Sequence, residues 1–399
     1  MTPSATGTAV TPSGSLDRHT DNSIDFLRLL LAVAVACGHC YPVGGFPLGT
    51  GALLFGVPQY PRLAVGGFFF LSGFLIAGSY LESSSVGRYL WKRALRIFPA
   101  FWVCLFVTAL VLGPIVSWGE GQRLVDYFRP GGDSAFRYVR MNALLWIGQS
   151  SIRNLPEHVH TPFQFNGSLW TLFTEFQCYL FVVLLGAIGV LQRGKALIAL
   201  VLLFLLMNAS AFVRHLPVFS FLFVHVLFGD ERRLEQWLYF MIGCCAYQFR
   251  RRRILDRRLF ALAFAVTFFV TVAAVRFVVL GEALAPFKLM LPLVELQSLP
   301  WSYCLLWLAF RLPLREYARR GDFSYGFYVY AFPVQQLLSV FGLNRFGFIP
   351  YFALTLACTL PLARASWFFV ERPCLALKSL RIQDLFSPPA TPMTRGRRS

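Results

Sequence analysis

Six polar residues stand in otherwise apolar stretches of this sequence, and their types would serve proton transfer and anion binding. In DFLRLLLAVAVACGHC, residues 25–40, every position between Arg28 and His39 is apolar or small. Eleven residues of α-helix advance about three turns plus roughly 20°, so both side chains share one face, ~16 Å apart along the axis. A histidine there could take a proton from a hydroxyl. A guanidinium could hold a carboxylate or phosphate. Glu175 lies in NGSLWTLFTEFQCYL, Ser72 in AVGGFFFLSGFLIAGSYL, and Arg93 and Arg96 in RYLWKRALRIFPAFW. Each has a plainer reading. Arg28 could snorkel, His39 could be a core residue, and Glu175 could seal a helix bundle. The glycines around Ser72 could serve only close packing, and the basic residues could be topology signals.

The elements that position these residues follow from composition. The chain has 399 residues, 56% hydrophobic and only 14% charged, against about 25% charged in an ordinary soluble domain. An all-α polytopic membrane protein is expected. Apolar segments near 24–41, 64–82, 97–117, 168–190, 195–213, 233–249, 259–280, 288–310, 323–343 and 348–371 predict about ten transmembrane helices. The net charge of +18 does not point to nucleic acid, because the cations cluster in short breaks between apolar runs. GRYLWKRALR, QRGK, RRRRILDRR and RLPLREYARR read as inner loops, while the outer loops at 42–63, 281–287 and 344–347 hold only Arg62 and Arg345. This places both termini in the cytoplasm. Residues 1–23 read as a disordered tail, 24–373 as the transmembrane domain and 374–399 as a basic tail.

Two stretches depart from the scheme. The long loop 118–167 carries Arg123, Arg129, Arg137, Arg140 and Arg153 outside. Within it, the apolar run at 138–149 is too short to span and is expected along the membrane surface. The segment 216–229 reads as re-entrant or interfacial. The nine cysteines read as small hydrophobes, indicating neither a zinc site nor a disulfide framework. No phosphate-binding glycine loop, metalloprotease helix or hydrolase elbow is present, and no internal repeat suggests a transporter of two related halves.

With the first helix entering from inside, His39 sits ~22 Å up, and with the fourth entering from outside, Glu175 sits ~10 Å down. In a core of about 30 Å the two reach similar depth. A glutamate beside a histidine would orient it and stabilise its protonated form. Arg93 and Arg96, three apart, share a helical face at the inner mouth.

Taken together, DFLRLLLAVAVACGHC, GGFFFLSGFLIAGSY, YLWKRALRIFPAFW, SLWTLFTEFQCYL, GDFSYGFYVYAFPVQQ and SWFFVERP, in this order from residue 25 to 373, resemble the membrane-bound acyltransferase 3 family. That resemblance implies about ten helices and acyl-CoA, usually acetyl-CoA, used from the cytoplasmic side, with no metal. It matches Arg28 and His39 to the family's essential pair, Arg93 and Arg96 to its inner arginine motif, and Glu175 to its buried acid. Many members carry a histidine where this chain has Ala331, so a second histidine there has no role, and the roles of Asp322, Ser324 and Tyr325 stay open.

The expected reaction is O-acylation of a glycan hydroxyl, such as that of an exported polysaccharide, in the plasma (inner) membrane. His39 would be the base, Glu175 its partner, and Ser72 or a nearby amide the oxyanion donor. Arg93, Arg96 and Arg28 would hold the donor's phosphates. The expected partners are acyl-CoA, a carbohydrate acceptor, the lipid bilayer and polysaccharide biosynthesis or export machinery, with no nucleic acid. A transporter or flippase of glycans or lipid-linked intermediates is the rival class.

Overall fold

The structure is a computed structural model and describes residues 22–47, 59–212, 231–250, 255–280, 297–314, 316–317 and 321–379. Expectations for the tails at 1–21 and 380–399, for 216–229 and for 281–287 lie outside the described residues. Among the described residues helices overlie the expected segments, the one at 288–310 only from Ser298 onward because 288–296 lie outside the described residues: α1 Ile24–Gly44, α2 Gln59–Leu81, α3 Val86–Gly119, α4 Trp170–Ala187, α5 Gly194–Phe212, α6 Glu231–Gln248, α7 Arg257–Leu280, α8 Ser298–Arg311, α9 Ser324–Val340 and α10 Phe348–Ala376. Five of these, α1, α2 from Pro61, α3, α4 and α10, are long and apolar enough to cross a membrane. Among the described residues no β-strand forms beyond one bridge pairing Ile152 with Leu155.

The third element corrects the expectation. It starts at Val86, not near residue 97, so Arg88, Lys92, Arg93 and Arg96 belong to the helix itself. Ser85 explains the early start, because its hydroxyl accepts the Arg88 amide at 3.2 Å and satisfies an orphan donor of the first turn. The helix loosens into a π turn at Thr108–Leu112, where the Tyr127 hydroxyl donates to the Ala109 carbonyl at 2.7 Å. The run at 138–149 does not span. A helix at Ala135–Asn142 ends in a turn, and the buried Asn142 side chain bonds the amides of Gly148 and Gln149. Leu144 is 76% exposed and Phe136 77%, a large apolar face for so short an element.

Among the described residues α2 and α6 make the most extensive helix contact, and glycines permit it. A Cβ built on Gly73 would lie 2.0 Å from the Phe240 carbonyl oxygen, and one on Gly243 would lie 2.1 Å from that of Phe70. Gly66 faces the Tyr239 ring and Gly78 the Tyr247 ring. The glycines of the α2 small-residue stripe therefore pack against neighbouring side chains and backbone. Elsewhere buried polar side chains join helices to one another's backbone. Gln335 Nε2 donates to the Ala36 carbonyl at 2.7 Å, Tyr325 to that of Ile97 at 2.8 Å, and Tyr89 to that of Tyr179 at 3.1 Å. These bonds connect α9 to α1, α9 to α3 and α3 to α4.

Gly73→Ala should separate α2 from α6 and cost about 1–3 kcal/mol by overpacking. Gly87→Ala, where nothing lies within 4 Å, should leave stability unchanged or slightly raised. Thermal unfolding of both variants in detergent checks this; equal melting temperatures would mean the contact is not tight.

Candidate active site

The site is built on a charge cluster that joins four parts of the chain. Arg28 Nη1 donates to Asp322 Oδ2 at 2.7 Å, and Arg96 Nη2 bonds the same oxygen. Arg96 Nη1 reaches Glu371 Oε2 at 3.3 Å, and Ser366 Oγ donates to Glu371 Oε1 at 3.0 Å. Asp322 thus bridges α1 and α3 from the turn before α9, and Glu371 adds α10. Local structure aims both acids. Gly321 takes φ +109°, a conformation that disfavours side chains, and packs against the Trp367 indole. Asp322 Oδ1 then accepts the Ser324 amide at 3.1 Å and the Ser324 hydroxyl. Glu371 closes a π turn at Trp367–Glu371, where the changed helical register redirects its side chain.

Burial works against ionisation of Asp322, but Arg28 and Arg96, aided by the Ser324 hydroxyl and amide, hold its carboxyl down at about 2. The sequence offered no pairing signal for Asp322 or Glu371, since their partners are hundreds of residues away.

Beside this cluster a cavity opens between α1, α2, α3, α4 and α9. Arg28, Arg93 and Arg96 line one part of it, and Ser72, Glu175, Tyr179 and Tyr328 contribute the other polar groups. Arg93 donates to Ser79 Oγ at 3.3 Å, and its buried Nε has no partner. Arg96 also lies 5.6 Å from the Tyr325 ring. Phe68, Phe69, Leu75 and Ile76 make the remaining walls mostly apolar. An anion-binding end joined to an apolar wall with a few polar groups suits an elongated ligand with a charged head.

Five of the six residues singled out in the sequence meet in this cavity: Arg28, Ser72, Arg93, Arg96 and Glu175. His39 stands apart from its lining. The half-buried imidazole meets the Phe332 ring edge-on, centroids 5.3 Å apart, and makes no hydrogen bond among the described residues. Phe332 is one turn beyond Tyr328, whose hydroxyl donates to the Ser168 carbonyl at 2.8 Å and lies 2.6 Å from Thr171 Oγ1.

The structure does not pair Glu175 with His39. Glu175 Oε1 instead accepts the hydroxyls of Ser72 at 3.1 Å and Tyr179 at 2.5 Å. Similar depth did not determine azimuth, and Glu175 faces α2. The Ser72 hydroxyl proton is thus directed at Glu175. Cys37 and Cys40 stand in a Cys-x-x-Cys spacing around His39 that reading them as scattered hydrophobes passed over. Both are buried free thiols, and Cys40 Sγ accepts from Gln335 at 3.1 Å. Among the described residues no cluster of three metal-ligating side chains forms.

Asp322→Asn should cost about 3–5 kcal/mol, because it leaves two buried guanidiniums short of their shared counter-charge. In detergent at pH 7 the melting temperature of the variant should accordingly fall well below that of native protein, and equal values would show that Asp322 does not hold the two guanidiniums.

Comparison with known proteins agrees with this geometry. The family described as "Acyltransferase domain" (acyltransferase 3) matches residues 21–365. An "O-acetyl transferase" of Shigella phage Sf6 is 28% identical over 366 residues, covering 91% of this chain and 99% of that protein. "Nodulation protein 10" of Rhizobium leguminosarum bv. viciae is 28% identical over 387 residues, covering 92% and 97%. No solved structure matches. The family match covers most of the chain and decides between an acyl-transfer enzyme and a transporter. The chain belongs to the acyltransferase 3 family of membrane acyltransferases.

Proposed function

We propose that this enzyme moves an acetyl group from cytoplasmic acetyl-CoA to a hydroxyl of a glycan presented on the other side of the plasma (inner) membrane. The "O-acetyl transferase" likeness supports the reaction. The observation that carries the donor side is the cavity in which Arg28, Arg93 and Arg96 stand together with Ser72, Glu175 and Tyr179. On this reading the chain spans the membrane ten times with both termini inside, and the N-terminal turns of α3 face the cytoplasm.

The donor's phosphates would meet Arg93 first, because Arg96 and Arg28 are already engaged by carboxylates. The pantetheine arm would run along the apolar wall. Glu175 Oε2, which has no hydrogen-bond partner among the described residues, would accept an amide N–H of that arm. The thioester would then pass Tyr328 toward His39. There the imidazole takes the proton of the acceptor hydroxyl as the oxygen attacks the thioester carbonyl. The tetrahedral intermediate collapses to the ester, and the imidazolium returns the proton to the departing CoA thiolate. Direct transfer needs no acyl-enzyme.

Membranes containing the protein, given radiolabelled acetyl-CoA, should gain alkali-labile label in their glycan fraction. His39→Gln should lower that rate by about 10²–10⁴-fold while CoA binding stays within about two-fold. A variant that transfers at a near-native rate would remove His39 from the mechanism.

A further inference from the structure

The described chain continues past both the family match, which ends at residue 365, and α10, which ends at Ala376. Leu377–Ser379 form a short turn, and the Leu377 carbonyl accepts the Trp91 indole N–H at 3.2 Å. This bond holds the segment against the first turns of α3. It brings the half-buried Lys378 within electrostatic reach of Arg96, Arg93 and Lys92.

Four cations thus gather at the first turns of α3, two of which, Arg93 and Arg96, line the donor cavity, and the compensation of the four is uneven. Arg96 has two carboxylates. Lys92 and Arg93 have only neutral hydroxyls, those of Ser83 and Ser79, each at 3.3 Å. Asp322 is the carboxylate that also reaches Lys378, and it already bridges two arginines. Among the described residues Lys92, Arg93 and Lys378 form no ion pair, although Glu175 acts on Arg93 and Asp322 on Lys378 from farther away. Like charges held together this way favour an incoming polyanion. Arg93 supplies an independent sign of one, since its buried Nε is unsatisfied and its guanidinium lines the cavity.

We propose that Lys378 joins Lys92 and Arg93 to bind the phosphate-bearing end of the acyl donor, so that the segment after α10 completes the donor site. This rests on the acyl-CoA reading above. An ammonium on a flexible stem suits several phosphate oxygens in turn, whereas Arg93 is held within its helix contacts. Burial first, then Arg96, Arg93 and Lys92, push the Lys378 amine down to about 8. Its charge, and with it the grip on phosphate, is present below that pH and lost above it. Arginine at this position would stay charged throughout.

Equilibrium binding of CoA and of pantetheine, which lacks the phosphates, to the full-length protein in phosphatidylcholine nanodiscs tests the assignment. Lys378→Gln should weaken CoA about ten-fold, the scale of one charge-assisted bond, and leave pantetheine unchanged. Lys378→Arg should restore CoA affinity. Native affinity should fall between pH 7 and 9, while that of Lys378→Arg stays level. Repeating the titration with phosphatidylglycerol discs separates a lipid phosphate as the source. If Lys378→Gln changes only phosphatidylglycerol retention and not CoA affinity, the donor assignment is wrong. Equal loss of CoA and pantetheine would show a structural role and overturn it too. Native protein that binds no CoA would defeat the acyl-CoA reading itself, whereas equal CoA binding by native and Lys378→Gln protein would defeat this inference alone.

Discussion

A buried carboxylate shared by two guanidiniums, Asp322 between Arg28 and Arg96, is the constraint on which the rest of the site depends. Charges removed from water are tolerated only when paired and hydrogen-bonded, and removing one partner exposes the full desolvation cost of the others. Here the pairing brings α1, α3 and the start of α9 to one point, and Glu371 adds α10. Apolar packing in a bilayer is weakly directional, because lipid tails are as apolar as leucine. The ion cluster supplies the direction. Gly321 and the π turn at Trp367–Glu371 are the local distortions that let both acids reach it.

The cluster also divides labour among the cations. Arg28 and Arg96, neutralised by carboxylates, keep the helices in place, whereas Arg93 faces the cavity with hydrogen-bonding capacity to spare. Glu175 divides in the same way. One oxygen is occupied by Ser72 and Tyr179, and the other is free of protein partners among the described residues. Rigid positioning and open binding capacity therefore sit side by side, as a preorganised site requires.

Much of this was legible in the sequence. Apolar runs located the helices because length and hydropathy are local properties. The helical period placed Arg93 and Arg96 on one face, and both line the cavity. What failed was azimuth and long-range pairing. Depth arithmetic put Glu175 level with His39, but nothing in the sequence revealed that Glu175 turns toward Ser72. The glycines of α2 read as packing residues, and the Phe240 carbonyl facing Gly73 bears that out. Asp322 and Glu371 were visible as motif members, yet their roles depend on contacts with Arg28 and Arg96 that span most of the chain. Reading α3 from its apolar part alone started it near residue 97, although Ser85 was there to mark the start at Val86.

Sidedness tests the account most directly. In sealed inverted vesicles the cytoplasmic face is outward, so on the proposed reading acetyl-CoA added outside would meet the basic end of the cavity, while an acceptor glycan trapped in the lumen would meet the His39 side. The account predicts that the luminal glycan gains an acetyl ester while all the CoA stays outside. If glycan supplied on the CoA side is acetylated and trapped glycan is not, transfer across the membrane is contradicted.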